Sequence, residues 1–263
     1  MFREFPAALI LQELEYDDLL PCILFRTSRK SCDSDIERLA HNKSAYLPTY
    51  EKKVLERKIE ETIFKYSLDK NVIYDHPHFQ PLINTGVGAH HAGQLLVWRL
   101  LLEELMSQSC LRMLVATGTV AAGVDFPART AIITAHSKRG AEGFRVLTSS
   151  EFQQMSGRAG RRGKDTVGIC LVAPSTFSDA RVIFEVAKKP PEPLRSAYFA
   201  SPSTVLNLLK YRSEDDLKYT VEKSLASFLD RKHALGMRHE AEELEKRAVE
   251  NELTEDGKRR LSK

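Results

Sequence analysis

Four short apolar runs constrain the fold of this chain more than any other feature. They are CILF at 22–25, LRMLVA at 111–116, TAIITA at 130–135 and VGICLV at 167–172. Runs of this kind form strands covered on both faces. Helix-length segments separate them. Residues 6–20 place Ala8, Leu9, Leu11 and Leu14 at helical spacing, and Pro21 ends the segment. Asp33 is positioned to cap a helix through about 39, residues 95–106 are apolar at helical spacing, and Ser149 or Ser150 is positioned to cap a helix over 151–161. Strands alternating with helices specify the α/β class, a parallel sheet with helices on both faces. Ligands of such sheets bind beyond the carboxyl ends of the strands.

The remaining segments read as additions to that frame. Residues 43–70 are charged, with Val54, Leu55, Ile59 and Ile63 on one side, and read as a solvated helical insertion. HPHFQP at 76–81 is a breaker, and GVGAHHAG at 86–93 reads as a glycine-rich loop. KKPPEP at 188–193 reads as a linker. Beyond it, 203–210 and 217–229 read as helices, followed by a charged helical tail to Lys263. The expected division is a domain over 1–185 and a helical extension over 186–263.

Composition narrows the class of function. A formal charge of +3 in 263 residues is too mild to imply a nucleic-acid partner, so local clusters must carry that case. Cys22, Cys32, Cys110 and Cys170 contain no C-x-x-C pair, which argues against zinc and against a disulfide framework. Reduced thiols fit a cytoplasmic protein, or a nuclear one. No apolar run approaches the length of a membrane span, and acidic residues follow the short apolar stretch near the N-terminus where a signal peptide would be cleaved.

Four segments carry chemistry. QQMSGRAGRRG at 153–163 puts Gln154, Arg158 and Arg161 at i, i+4 and i+7, on one face if the helix continues to Gly160. Two guanidiniums side by side suit phosphate oxygens, and the interleaved glycines allow close approach. A solvated basic turn is the alternative, but glycines in a helix-length segment cost stability without return. TGTVAAGVDFP at 117–127 starts at a strand end. Its small residues and hydroxyls suit a phosphate chain, and Asp125 suits a sugar hydroxyl. By itself Asp125 would read as a turn residue. In 86–93, His90 and His91 are adjacent, so on a strand they face opposite sides and cannot share one metal. In FRTSRK at 25–30, Ser28, Arg29 and Lys30 are placed to hold a phosphate at a helix N-terminus, or form an ordinary solvated loop.

These four segments, in this order, resemble motif IV, the histidine-containing loop, motif V and motif VI of the second RecA-like lobe of superfamily-2 helicases. They look most like the superkiller-type DExH-box RNA helicases, over about 6–185. Residues 191–229 look like that family's exit toward a winged-helix region, nearest the antiviral RNA-sensor subgroup. The resemblance implies a RecA-like sheet and ATP with Mg2+ shared with an N-terminal RecA-like lobe. Arg158 and Arg161 would face the γ-phosphate, Arg161 as arginine finger, with Gln154 coupling nucleotide to the lobe interface. Gly123 and Asp125 would touch ATP, although this branch often has Asn where Asp125 stands. Ser28, Arg29, Thr117 and Thr119 would contact the backbone of RNA, single-stranded or duplex with an overhang.

The chain contains no G-x-x-x-x-G-K-[ST] and no DExH box. The phosphate cradle and the magnesium carboxylates are therefore expected on the missing lobe. This leads to a C-terminal motor lobe of an ATP-dependent RNA helicase, inactive by itself. The rivals are a non-catalytic nucleic-acid- or protein-binding module derived from such a lobe, and a lobe of a DNA helicase.

Overall fold

The structure, a computed structural model, describes residues 4–118, 128–140, 143–194, 196 and 201–250. Among these residues the strands are β1 (Cys22–Arg26), β2 (Val87–His90), β3 (Met113–Thr117), β4 (Thr130–Ile133), β5 (Ser137–Gly140), β6 (Gly143–Val146) and β7 (Ile169–Val172). Five of them form one sheet in the order β2-β3-β1-β4-β7, every pair parallel. β5 and β6 form a separate antiparallel hairpin.

The pleat divides the apolar strand residues between two cores. Cys22, Leu24, Val87, Ala89, Met113, Val115 and Ile132 point to one face. There α1 (Ala7–Tyr16) and α2 (Arg29–Ala40) cover them with Leu11, Leu14, Ile36 and Leu39. Ile23, Phe25, Leu114, Ala116, Ala131 and Ile133 point to the other. That side is covered by α3 (Thr49–Tyr66), α4 (Lys70–Tyr74), α5 (Phe79–Thr85), α6 (Leu96–Ser107), α7 (Ser149–Ser156) and α8 (Ala180–Lys188). In α6, Trp98, Leu101, Leu102 and Leu105 recur at i, i+3, i+4 and i+7, and all four are buried.

Several sequence expectations are corrected. The first helix ends at Tyr16 rather than near 20, and Asp18 then turns the chain at φ 54°. Ser28, not Asp33, caps α2, accepting from Ser31 N at 3.1 Å. The segment 86–93 is not all loop. Residues 87–90 are edge strand β2, whose small side chains disguised a buried strand. The segment 43–70 is helical but not a solvated insertion. Leu55, Ile59 and Ile63 of α3 are buried in the same core as Trp98 and Leu101.

The chain divides into two compact units, 1–192 and 193–263. The second unit contains α9 (Pro202–Leu209), α10 (Glu214–Glu222) and α11 (Leu225–Glu250). A break at Lys223–Ser224 separates α10 from α11 inside the helix expected over 217–229. No residue of α9 or α10 is buried.

Candidate nucleotide and nucleic-acid site

The sequence-predicted site residues that the structure describes fall toward opposite edges of the sheet. At the carboxyl edge, β1 delivers Arg26, Thr27, Ser28 and Arg29, and β3 delivers Thr117 in register with Arg26. Arg26 turns inward. Its Nε donates to Asp35 at 2.6 Å and its Nη2 to the Phe5 carbonyl at 2.7 Å. Burial pushes the Asp35 carboxyl up, and the Arg26 guanidinium opposes this. The pair thus closes the strand end, while Thr27, Ser28, Arg29 and Lys30 stay exposed. Thr119, Gly123 and Asp125 lie outside the described residues.

The hairpin β5–β6 follows β4 at this same edge and was missed by the sequence reading. A groove of about 640 Å3 runs between it and α2, lined by Ser28, Lys30, Arg38, Ser137 and Phe144 among others. Phe144 is 75% exposed. An exposed ring and basic side chains suit a base and a phosphate chain, respectively. The signal in the sequence was SKRG…GFRV at 137–146, basic residues around glycines with one aromatic.

Helix α7 connects this edge to the other. It starts beyond the carboxyl end of β4, where Leu147 N donates to the His136 carbonyl at 2.9 Å. Thr148 caps it in a capping box with Glu151. Glu151 also binds Lys138 and Arg145 of the hairpin. Burial pushes the Glu151 carboxyl up, but hydrogen bonds from Arg145, Lys138 and the Thr148 N–H outweigh it and bring it down to about 2. Glu192, from the expected linker, accepts from the N–H groups of Ser149 and Ser150, both at 2.9 Å. The linker's last residues are therefore pinned to the helix start, where two carboxylates complement the dipole.

The helix does not reach Arg161. It stops at Ser156, with Gly157 as C-cap, so Gln154, Arg158 and Arg161 do not share a continuous helix face. Tertiary pairing ends it. Ala128 N donates to the Arg158 carbonyl at 2.9 Å, and Gly160 N to the Ala128 carbonyl at 2.7 Å. Gly160 adopts φ +91°, and a Cβ on Gly168 would run into the Ala159 carbonyl, so both positions need glycine. Ala128 precedes the first residue of β4, and Lys164 Nζ reaches Ser109 Oγ, ahead of β3, at 3.2 Å. The arginine turn thus lies at the amino edge, a strand length of roughly 16 Å from Ser28 and Thr117. Gly157, Gly160, Arg161, Arg162 and Lys164 line a cavity of about 390 Å3 there. A donor set of two arginines and a lysine with little side-chain cover fits a polyphosphate. Gln154, also in α7, is exposed.

The histidines form a structural network. His91 Nε2 lies 2.9 Å from Asp33 Oδ1, and His90 Nε2 lies 2.7 Å from Glu103 Oε1, on different partners. His76 stacks on Trp98 at 3.9 Å. Burial pushes His76, His78 and His90 below the usual imidazole range. Among the described residues no group of three or more His, Cys, Asp or Glu is arranged to hold a metal ion, and no helix is long and apolar enough to cross a membrane.

No family model matches the chain. Three of its curated relatives are helicases. It is 34% identical over 208 residues to the exosome RNA helicase MTR4 of Homo sapiens, covering 79% of the chain and 20% of that protein. It is 33% identical over 189 residues to the DExH-box ATP-dependent RNA helicase DExH10 of Arabidopsis thaliana, covering 72% and 19%. It is 30% identical over 240 residues to the antiviral helicase SKI2 of Saccharomyces cerevisiae, covering 90% and 18%. The chain spans about a fifth of the length of these relatives.

Proposed function

Because the chain belongs by sequence to the superkiller-type DExH-box helicases, we propose that it is the C-terminal RecA-like motor lobe of an ATP-dependent RNA helicase. The observation that carries the reading is the turn at 157–164, which surrounds a cavity with arginine and lysine donors and nearly bare backbone. Arg158 and Arg161 would hold the nucleotide from this side, with Gly123 and Asp125. The phosphate cradle and magnesium ligands would come from an N-terminal lobe. ATP supplies the phosphoryl group transferred to water. The lobe's own part is to place guanidinium charge where negative charge redistributes, a term that removing the finger exposes.

RNA would lie on the opposite edge, over Ser28, Arg29 and Thr117 and along the groove to Phe144. Recognition there would be through phosphates and stacking, largely independent of sequence. The two edges are joined by α7, whose start is ion-paired to the hairpin and whose end opens into the arginine turn. That connection gives nucleotide closure a rigid path to the RNA groove. A cytoplasmic or nuclear setting is part of the proposal.

The test is a two-lobed protein assayed for RNA-stimulated ATP hydrolysis and for unwinding of a duplex with an overhang. The reading expects both activities, greater activity on RNA than on DNA, and loss of both on Arg161→Ala. RNA binding without hydrolysis in a protein with an intact Walker A lobe would favour a non-catalytic module. Equal unwinding of DNA and RNA would remove the RNA assignment.

A further inference from the structure

Resting on the reading of Arg161 as the arginine finger, we infer that Asp165 is its positioning residue, holding the guanidinium by one edge so that the other is presented to the transferring group. Arg161 Nε donates to Asp165 Oδ2 and Nη2 to Oδ1, both at 2.8 Å. The Arg161 backbone N–H donates to the same Oδ2 at 2.9 Å. One carboxylate thus fixes both the root and the head of the side chain. Nη1 takes no part in the pair.

The turn that makes this possible is itself closed. Lys164 N and Asp165 N both donate to the Arg161 carbonyl, at 3.0 and 2.9 Å, and Gly163, just before Lys164, adopts φ +74°. The Asp165 side chain is 5% exposed, and the Arg161 side chain 18%. A second cation stands near the carboxylate. Arg129 Nε lies 3.9 Å from Oδ1, and Arg129 is in turn held by Asp18 at 2.8 Å.

The two-point pair through Nε and Nη2 leaves Nη1 outside it. The fork is bound edge-on, and Arg161 lines the cavity with Gly157 and Gly160. An arginine without such a partner has many rotamers to lose on meeting a phosphate. Holding it beforehand moves that loss out of the reaction, and misplacement by about 1 Å can cost of the order of a hundredfold.

Two measurements test this. In the chain itself, the Arg161 Nε–H should give a slowly exchanging side-chain NMR signal that Asp165→Asn abolishes. In the complete helicase, Asp165→Asn should lower kcat about tenfold or more while KM for ATP moves less than about twofold. Asp165→Glu, which keeps the charge, should recover part of the loss. In an Arg161→Ala background Asp165→Asn should add less than about a twofold change, because the group it positions is gone. Normal kcat in Asp165→Asn, with Arg161→Ala inactive, would overturn the positioning role and leave the finger intact. Normal kcat in Arg161→Ala would overturn the finger reading and this inference with it. An equal loss from Asp165→Asn in both backgrounds would place Asp165 in some other role. Should Asp165→Asn fail to fold, a fast-exchanging Arg161 Nε–H in the unaltered chain would still overturn the inference.

Discussion

At the scale of the residue, Arg161 and Asp125 are expected to fail differently. On the proposed reading, the charge of Arg161 stabilises the phosphoryl group more as transfer proceeds. Arg161→Ala in the complete helicase should lower turnover by about a thousandfold or more with little change in nucleotide affinity. Arg161→Lys should not restore it, because an ammonium has no planar fork to seat on Asp165. A defect confined to nucleotide dissociation constants would refute this. On the proposed reading Asp125→Ala would remove a carboxylate's ground-state hydrogen bond, so it should weaken nucleotide binding by about 1.5–3 kcal/mol and leave turnover at saturation nearly intact. Titration with a fluorescent nucleotide separates the two. The sequence singles out Gln154, Arg158 and Arg161 as a set by their spacing. Their spacing predicts one helical face, and the helix stops at Ser156, before either arginine.

At the scale of the element, α3 and α7 show how burial and capping decide what sequence patterns leave open. The charged surface of α3 suggested an appendage, but Ile59 is fully buried against the sheet-covering core. Ile59→Ala should therefore destabilise the domain by about 2–5 kcal/mol in urea denaturation, and a loss below about 0.5 kcal/mol would return α3 to the status of an insertion. Helix α7 is held at its start by Glu151. Its carboxyl is brought from an ordinary 4.5 down to about 2 in the folded chain. A depressed acid stabilises the fold above its unfolded value and loses that contribution as pH falls through its folded one. Glu151→Gln should be less stable than the parent at pH 7 and should lose less between about pH 4.5 and 2. Thermal unfolding of both proteins across that range measures it, and parallel pH curves would show that Glu151 contributes nothing through its charge.

At the scale of the whole molecule, the two edges of the sheet should separate genetically. Arg29→Ala should weaken RNA binding and reduce its salt slope by about one, leaving nucleotide affinity unchanged. A matching loss of nucleotide binding would mean that the edges are not independent. The two units should also differ. Among the described residues, buried apolar side chains stop at Val186, so residues 1–192 hold the described buried core. That unit alone should unfold cooperatively, whereas 193–263 alone should be helical without a sharp transition. A sharp transition in the second fragment would show a core that its exposed helices do not display.

The sequence by itself determined the class of fold and singled out a candidate phosphate-binding segment. Apolar runs bounded by breakers leave few alternatives to a parallel sheet, and a glycine-interleaved arginine segment has few structural uses. Both are properties of neighbours along the chain. The tertiary structure alone decided which edge each set occupies, that β2 is a strand, that α3 belongs to the core and that Asp165 holds Arg161. These depend on contacts between distant residues, such as Ala128 with Arg158 and Gly160, whose hydrogen bonds end α7 and turn the arginines to the amino edge. No local pattern encodes a partner thirty residues away, and burial, not propensity, settles which of two locally acceptable conformations the chain adopts.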